Sequence, residues 1–260
     1  RIVIIKFIYY IRGKMIEIKN LHVGVEDKEI LRGVTLDFEL WKNYCVLWKN
    51  GSGKSTLSSF LMWFPKYKHI SGSVSLQGEN LLDMDPEERS KEGLFLSFQN
   101  VPEIKGIRLS EYLRTIYNIH LKQNNPDVQE LSPFIFKRFI KKHLESLHID
   151  EKFLDRDLNV GFSGWEKRKI EILQMKLIWP KYIILDEIDS GLDLDAFRAV
   201  AELLQSLSSD ENSLIIITHY FKILDYIKVD KVYVMKDGEL KKQGGPELAK
   251  EISESGFSEI

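Results

Sequence analysis

The chain has 260 residues, 43% of them hydrophobic, which is enough to bury a core in one large domain or in a domain with a subdomain. Its 37 basic and 39 acidic residues are well mixed and leave a net charge of −2, which gives no reason to expect nucleic acid or an anionic membrane as the main partner. The only cysteine, Cys45, can form no internal disulfide and cannot hold an iron–sulfur cluster alone, so we expect a reducing, cytoplasmic location.

The first 14 residues are apolar and basic and contain no methionine. Their apolar run is far short of the roughly 20 residues that a membrane-spanning helix needs, and no small-residue cleavage site follows it. Met15 opens a good first strand. We therefore interpret 1–14 as a non-native upstream extension and 15–260 as the folded domain, without direct membrane insertion. A short anchor on a membrane surface is the alternative.

The predicted elements alternate between strands and helices. Alternating and β-branched residues predict strands at 15–23, 29–39 and 43–48, then a glycine-containing loop at 49–53 and a helix from Lys54. The elements expected next are a strand at 72–77 ending in a Gln77–Gly78 turn, a strand at 93–98, helices across 107–150 with a polar break, a helix at 164–178, strands at 182–187, 213–219, 231–236 and 239–243, and a helix near 246–254.

Two of these strands indicate where a ligand binds. The runs at 182–187 and 213–219 are continuous, apolar and β-branched, as expected of strands that are buried on both faces. Both runs end in polar residues. Ligands of open α/β sheets bind at the carboxyl ends of such strands, so we expect the functional site there.

Residues 48–56, WKNGSGKST, nearly match the phosphate-binding P-loop pattern G-x-x-x-x-G-K-[ST]. Backbone N–H groups of such a loop, with the helix N-terminus, bind phosphate oxygens. We predict that Lys54 reaches the β- and γ-phosphates of a nucleotide and that Ser55 holds Mg²⁺. The predicted phosphate-binding residues are Asn50, Gly51, Ser52, Gly53, Lys54, Ser55 and Thr56. A Gly-Ser loop that only caps a helix is the alternative.

The strand YIILDE at 182–187 ends in two carboxylates. Asp186 is placed to orient Mg²⁺ through water, and Glu187 is placed to polarise the attacking water. The same ending alone could be a solvated turn, but its position downstream of a P-loop favours the metal and base roles.

The segment GFSGWE at 161–166 precedes a helix and resembles the S-G-G signature of ABC ATPases. Ser-Gly before a helix is by itself usually an N-cap, but its place between a P-loop and two strand-end carboxylates favours the signature. That resemblance implies an α/β P-loop NTPase with a mixed core sheet, an antiparallel β subdomain and a helical subdomain, which we place near 100–176. It also implies that Ser163 and Gly164 contact the γ-phosphate bound by a second subunit.

Three further residues fit the ABC ATPase pattern. Gln99 follows the strand LFLSF and fits the glutamine loop, which senses Mg²⁺ and water. Asp193 ends the segment SGLD and fits the loop that contacts the second subunit's nucleotide. His219 ends the strand SLIIITH and fits the switch histidine at the γ-phosphate. A lone histidine at a strand end is more often structural, but the order of the motifs favours the functional role.

Over residues 15–250 the chain resembles the SufC family, the ATPases of SUF iron–sulfur cluster assembly. The resemblance is carried by FLSFQNVPEIKGIRLSEYLR, NVGFSGWEKRKIEILQM, LDEIDSGLDLDA and THYFKILDYIKVDKVYVMKDGEL. It implies that two copies of the chain dimerise on ATP and hydrolyse MgATP to remodel a pair of SufB- and SufD-like proteins. Glu187, His219 and Gln99 would be catalytic, and Ser55, Gln99 and Asp186 would hold Mg²⁺. An ABC transporter subunit is one alternative.

The five tryptophans depart from the family pattern. Trp41, Trp48 and Trp165 stand where the family has glycine, Trp63 where it usually has glycine, and Trp179 in a loop where glycine would serve. Taken literally, these residues predict weak ATP binding and a catalytically silent scaffold. Because one residue type recurs while the polar motifs are intact, our hypothesis is that one codon, UGA, is read as glycine at all five positions and that the native protein is active.

Overall fold

The computed structural model describes residues 15–48 and 53–256. The predicted extension at 1–14 lies outside these residues. So do three of the predicted phosphate-binding residues, Asn50, Gly51 and Ser52.

The chain divides into two compact units. The first holds the described residues up to Ser97 together with Pro180–Ile188 and those from Ser208 onwards. The second holds Phe98–Trp179 and Asp189–Leu207. The helical lobe that the sequence places near 100–176 falls within the second unit, which also takes in a later segment that the prediction did not include.

The first unit contains a four-stranded antiparallel sheet. Its strands, in the order β2-β1-β4-β5, are β1 Met15–Val25, β2 Lys28–Glu39, β4 Tyr67–Leu76 and β5 Glu79–Asn80. The turn predicted at Gln77–Gly78 joins β4 to β5. Both of its residues have positive φ, 55° and 93°, as a two-residue type I′ hairpin turn requires.

The first unit also contains a six-stranded mixed sheet with the order β12-β11-β3-β10-β9-β6. Its strands are β3 Tyr44–Trp48, β6 Leu94–Ser97, β9 Tyr182–Asp186, β10 Ser213–Thr218, β11 Lys231–Lys236 and β12 Glu239–Gly244. All neighbours pair in parallel except β12, which is antiparallel to β11. Every residue of β9 and β10 is buried, which explains their unbroken apolar sequences.

Three α-helices of the first unit are α1 Lys54–Leu61, α2 Pro86–Lys91 and α7 Pro246–Ser255. The sequence did not predict the short α2, although Asp85 and Glu88 form a capping box at its start. Its buried Arg89 donates hydrogen bonds to the carbonyls of Phe60 and Leu61 at 2.9 and 2.8 Å, so a cation lies at the negative end of α1.

The second unit is mainly helical. Its elements are β7 Ile104–Arg108, α3 Leu109–Asn124, α4 Pro133–Ser146, β8 Asp157–Leu158, α5 Gly164–Ile178 and α6 Leu194–Leu207. The helices predicted within 107–150 are present, but residues 107–108 belong to a strand. Helix α6 was missed, although Asp193 caps it. Across the described ranges, no helix combines the length and the apolar character needed to cross a membrane.

Candidate nucleotide-binding site

The site begins where β3 leads through the loop into α1. Gly53 has φ 101°, and a Cβ there would lie 2.6 Å from Ile30 Cγ2, so only glycine fits. Lys54, Ser55 and Thr56 then form the first turn of α1, at the positive end of the helix dipole, which favours an anion.

Three neighbouring strands bring distant parts of the chain to one sheet edge. Strand β10 pairs in parallel with β3 on one side and with β9 on the other. The loop before α1 follows β3, Asp186 ends β9, and His219 follows β10. Because parallel strands end at the same edge, the predicted lysine, carboxylates and histidine are brought together.

Asp186 carries an unused acceptor. Its Oδ2 accepts a hydrogen bond from the buried Ser58 hydroxyl at 2.7 Å, whereas Oδ1 is buried and has no hydrogen-bond partner among the described residues. Burial raises the pKa of Asp186, and the neighbouring Glu187 adds to the rise, although Ser58, Ser55 and Lys54 lower it. An orphaned carboxylate oxygen beside a serine hydroxyl fits a Mg²⁺ ligand that is completed by phosphate and water.

Glu187 is held in an uncommon backbone conformation. Its φ is 46°, in the left-handed region, and its N–H donates to the carbonyl of Ile217 at 3.0 Å. The buried carboxylate forms an ion pair with Lys54 and a contact with His219. Burial raises the pKa of Glu187, but the hydrogen bonds and charges of Lys54 and His219 outweigh burial and leave the pKa lowered.

His219 completes the cluster. Its Nδ1 lies 3.0 Å from Glu187 Oε1 and 3.3 Å from Lys54 Nζ, and its side chain is partly exposed. The cluster therefore holds a lysine ammonium, a carboxylate and an imidazole in mutual contact. An incoming γ-phosphate would compete with Glu187 for Lys54, which would release the carboxylate toward water.

We expect Asp186→Asn to lower Mg²⁺-dependent ATP hydrolysis at least about 100-fold while raising the melting temperature of the nucleotide-free protein. The amide keeps an oxygen acceptor for Ser58 but removes a carboxylate charge that burial and Glu187 disfavour. Thermal melting and steady-state hydrolysis check the two effects. Asp37→Asn, which loses an ion pair to Lys231 at the same domain's surface, is the control. A lower melting temperature for Asp186→Asn would contradict the assignment of an unused, strained ligand.

The second unit contains the remaining predicted site residues. Ser163 caps α5: its hydroxyl accepts from the Glu166 N–H at 3.2 Å, and the Glu166 carboxylate accepts from the Ser163 N–H at 2.7 Å. Gly164 opens the helix, and a Cβ there would lie 3.5 Å from the Gly191 carbonyl. The structure thus places these residues at an exposed helix N-terminus. Their contact with a second subunit's nucleotide stays a prediction.

Asp193 and Gln99 have structural contacts of their own. The Asp193 carboxylate accepts from the Ala196 N–H at 2.8 Å and caps α6, a role that sequence analysis did not assign to it. The backbone carbonyl of Gln99 accepts from the Arg168 guanidinium at 3.2 Å. Ser58 and Arg168 were also missed. The one available signal for Ser58 was its position four residues after Lys54, on the same helix face.

Three tryptophans adopt the backbone conformation of glycine. Trp41, Trp63 and Trp179 have φ of 65°, 61° and 42°. Ten non-glycine residues in the described chain have positive φ, and apart from these tryptophans they are all Asn, Asp, Gln, Glu or His. A bulky residue in this region is a steric outlier, because its Cβ crowds the carbonyl that follows.

Each of the three stands at a recognised glycine position. Trp63 follows α1 in a Schellman motif, since the next residue donates to the Ser59 carbonyl and Trp63 donates to that of Phe60. Trp179 follows α5 and donates to the Met175 carbonyl, as in the αL cap. Trp41 is the third residue of the turn that leads into β3, where a type II turn requires positive φ.

The other two tryptophans lie beside the predicted motifs. Trp48 is fully buried at the end of β3, and its Nε1 has no hydrogen-bond partner among the described residues. Its ring reaches within 3.7 Å of the position that a Cβ on Gly53 would take. Trp165 is the second residue of α5 and lies under the Lys169 ammonium, 4.8 Å from the ring centre. An indole thus stands at each motif where a phosphate is expected.

A family profile described as "ABC transporter" matches residues 31–190, more than half of the 260-residue chain. The chain therefore belongs to the ABC transporter family, and it is an ATP-binding ATPase of the ABC class, as its motifs predicted.

Several relatives match nearly the whole chain. "Probable ATP-dependent transporter ycf16" of Cyanophora paradoxa is 45% identical over 246 residues, which cover 95% of this chain and 94% of the relative. "Probable ATP-dependent transporter SufC" of Escherichia coli K12 is 42% identical and covers 94% and 97%. "Iron-sulfur cluster assembly protein SufC" of Plasmodium berghei is 39% identical and covers 95% and 67%. The predicted resemblance to the SufC family is confirmed.

Solved structures share the fold. A nucleotide-free ATP-binding cassette from an ABC transporter superimposes with a TM-score of 0.73 at 22% identity, covering 94% of this chain and 96% of that one. A dimeric bacterial ABC transporter cassette gives 0.71 at 20% identity, covering 89% and 98%. The predicted ABC ATPase fold, with its mixed sheet and antiparallel sheet, is confirmed.

Proposed function

We propose that the chain hydrolyses MgATP through the cluster of Lys54, Asp186, Glu187 and His219. The observation that carries this proposal is the contact between Glu187, Lys54 and His219 beside an orphaned Asp186 oxygen. Lys54 would bind the β- and γ-phosphates, His219 would contact the γ-phosphate, and Glu187 would accept a proton from the attacking water.

Mg²⁺ is the proposed metal. Ser55 and Asp186 offer a hydroxyl and a carboxylate as ligands, and the role of Gln99 as a further ligand stays a prediction from the sequence. When bound, Mg²⁺ would neutralise charge that develops on the phosphate oxygens. The chain's own contribution is to fix the hydroxyl and the carboxylate before the nucleotide arrives.

Lys54→Ala tests the proposed function directly. Because the substitution removes the lysine that pairs with Glu187 and is proposed to bind the phosphates, we expect ATP binding to weaken at least about tenfold, as followed by calorimetry with MgATP. Lys181→Ala is the matched control, since it removes a partly buried lysine that instead contacts Gln77 at 3.2 Å. Equal affinities for the two variants would exclude the proposed site.

Hydrolysis is proposed to require a second copy of the chain. Ser163, Gly164 and Asp193 would contact the nucleotide held by the partner, because the solvent-exposed N-terminus of α5 is the positive end of the helix dipole and can stabilise a phosphate. The dimeric cassette of similar fold supports this arrangement. Sedimentation of the Glu187→Gln variant with and without MgATP tests it, and a monomer under both conditions would contradict it.

The proposed biological role is in iron–sulfur cluster assembly, where ATP-driven dimerisation would remodel SufB- and SufD-like partners. The names of two relatives support this role. Strand β7 is a candidate docking surface, because all of its residues are exposed, including Ile104 and Ile107. Glu103, just before it, is already paired with Lys167 at 2.7 Å and is a poor probe of docking.

Ile107→Ser and Lys105→Glu are therefore the informative variants. They should weaken capture of a SufB- or SufD-like protein without changing ATP affinity, because both side chains lie on the exposed strand. Glu103→Gln is the control, because it removes an ion pair inside the chain, that with Lys167, and changes no side chain of the strand itself. An ABC transporter subunit remains the competing role, and co-purification with a membrane permease rather than a SufB-like protein would favour it.

We further propose that the functional protein carries glycine at positions 41, 48, 63, 165 and 179. Three of these positions have glycine's backbone conformation, and at a fourth the buried indole N–H finds no hydrogen-bond partner within 15–48 and 53–256. Peptide mass spectrometry of the protein purified from its own source decides the matter. Tryptophan masses at the five positions would refute the proposal, and the chain would then be read as a scaffold that does not hydrolyse ATP.

A stability measurement separates the cost of the left-handed backbone at these positions from the effect of the indole ring. We expect Trp→Gly at 41, 63 and 179 together to raise the free energy of unfolding by about 1–2 kcal/mol per position, because left-handed backbone costs any residue with a Cβ about that much. Trp→Ala at the same positions is the control, since it removes the ring but keeps the Cβ. If alanine stabilises as much as glycine, the strain argument fails.

A further inference from the structure

We propose that Arg168 is a positioning residue that fastens the backbone at Gln99 to α5, so that Gln99 and the helix N-terminus at Ser163 move together. The inference rests on the proposed function, because it matters for hydrolysis only if Gln99 responds to nucleotide. All of the contacts that carry it lie within the second unit.

The guanidinium of Arg168 is buried and hydrogen-bonded on several sides. It donates to the Phe98 carbonyl at 2.8 Å, to the Gln99 carbonyl at 3.2 Å and to the Glu171 carboxylate at 2.6 Å. Arg168 and Glu171 are each 4% exposed. A planar guanidinium presents its donors in a fixed fork, and a buried charge that loses its partners is costly, so this connection is stiff.

Two further contacts secure the same segment. Lys167, also on α5, pairs with the Glu103 carboxylate at 2.7 Å. The Asn159 side chain, in the loop before α5, donates to the Pro102 carbonyl at 2.9 Å. These side-chain contacts connect residues 98–103 to α5 and to the loop before it. Of these contacts, that of Arg168 reaches Gln99 itself.

The contacts of Arg168 lie at the start of the second unit. Phe98 is the first residue of the second unit, directly after β6 ends at Ser97. A shift of Gln99 on nucleotide binding would therefore move α5 through its hydrogen bond with Arg168. Arg168 lies on α5, five residues after the capping Ser163. Ser163 and Gly164 are the residues proposed to contact the second copy's nucleotide, so Arg168 would link the two sites of a dimer.

Two variants test the link in the chain carrying glycine at the five tryptophan positions. Arg168→Lys keeps the charge beside Glu171 but loses the fork to two carbonyls. Arg168→Met with Glu171→Leu removes both charges, so that neither is left buried and unpaired. Lys169→Met is the control on the same helix. We expect kcat to fall about tenfold or more in both variants, with ATP affinity of the isolated subunit changed less than about twofold.

Amide hydrogen exchange gives a second readout that does not depend on hydrolysis. In the Arg168 variants, exchange should rise together in 98–103 and 163–168, and in the Lys169 control it should not. Unchanged exchange in either segment, or a fall in ATP affinity as large as the fall in kcat, would overturn the proposal. If the parent protein lacks ATPase activity, the proposed function fails, whereas the exchange experiment still decides whether Arg168 connects the segments.

Discussion

Replacing Trp48 and Trp165 with glycine is expected to tighten ATP binding and to bring hydrolysis up from a low level, each by at least about tenfold. Trp48 stands at the first position of the P-loop pattern, and its ring lies against Gly53, where the proposed phosphate site requires a close approach of the backbone. Trp165 stands in the first turn of α5, the helix end proposed to contact the second copy's γ-phosphate. Titration with MgATP and a phosphate-release assay measure the two effects.

Single variants show which of the two positions changes ATP affinity and which changes hydrolysis. Trp48→Gly should mainly change ATP affinity of the isolated subunit, because position 48 borders the site within its own chain. Trp165→Gly should mainly change hydrolysis, because the dimer completes that contact. Trp63→Gly is the control, since Trp63 lies beyond the far end of α1.

Stability tells whether the indole of Trp48 is a genuine core residue. Removing the side chain of a well-packed, buried tryptophan lowers the free energy of unfolding by about 3–5 kcal/mol. Trp48 is fully buried but leaves its N–H without a partner among the described residues, which costs about 1–3 kcal/mol. We therefore expect Trp48→Gly to lower the free energy of unfolding by less than about 3–5 kcal/mol. With MgATP bound, we expect the variant to be as stable as the parent. A full loss that MgATP does not recover would favour the silent scaffold.

Glu187→Gln, in the protein carrying glycine at the five tryptophan positions, is expected to lower hydrolysis at least about 100-fold while ATP still binds and holds two copies together. The amide cannot accept the proton of the attacking water, whereas Lys54 and His219 remain to contact the phosphates. Single-turnover hydrolysis and sedimentation with MgATP measure the two outcomes. Hydrolysis at the parent rate would remove Glu187 from the role of base.

The same variant has a stability signature. Without nucleotide, Glu187→Gln leaves the buried Lys54 without its carboxylate partner, so the melting temperature should fall. Bound ATP supplies phosphate charge to Lys54, so ATP should raise the melting temperature more in this variant than in the parent. Glu166→Gln, which changes a carboxylate that only caps α5, is the matched control. Equal ATP shifts in the two variants would show that Lys54 does not exchange Glu187 for phosphate.

The lowered pKa of Glu187 predicts the pH range of this contribution. A carboxylate whose pKa is depressed by folding stabilises the protein above its unfolded pKa, and the contribution is lost as pH falls through the folded value. The stability difference between parent and Glu187→Gln should therefore shrink in acid. A difference that stays constant through the acid range would show that the ion pair with Lys54 is not its cause.

The sequence by itself determined the class of protein and most elements of the fold. The unbroken apolar runs of β9 and β10 predicted buried strands, and the Gln77–Gly78 pair predicted a turn, because these signals are local. The order of P-loop, signature and strand-end carboxylates predicted the ABC ATPase class for the same reason. The short α2 and the helix α6 were missed, although the capping residues Asp85 and Asp193 stand before them.

Only the tertiary structure decided which residues meet. Strand β10 lies between β3 and β9, so His219 reaches both Lys54 and Glu187, which are far apart along the chain. The hydrogen bond from Ser58 to Asp186 and the contact of Arg168 with Gln99 likewise depend on which elements pack together. A side chain's partners follow from strand order and helix packing, which are non-local and leave no fixed spacing in the sequence.

For the tryptophans, too, the sequence supplied one part of the information and the tertiary structure the other. The family resemblance predicted glycine at these positions from the sequence alone, but it could not give the backbone conformation there. The left-handed φ of Trp63 and Trp179 follows from the hydrogen bonds that end α1 and α5, and that of Trp41 from the turn into β3. Helix ends and turns set φ through the backbone, whichever side chain is attached, and there a Cβ is a steric cost that glycine avoids.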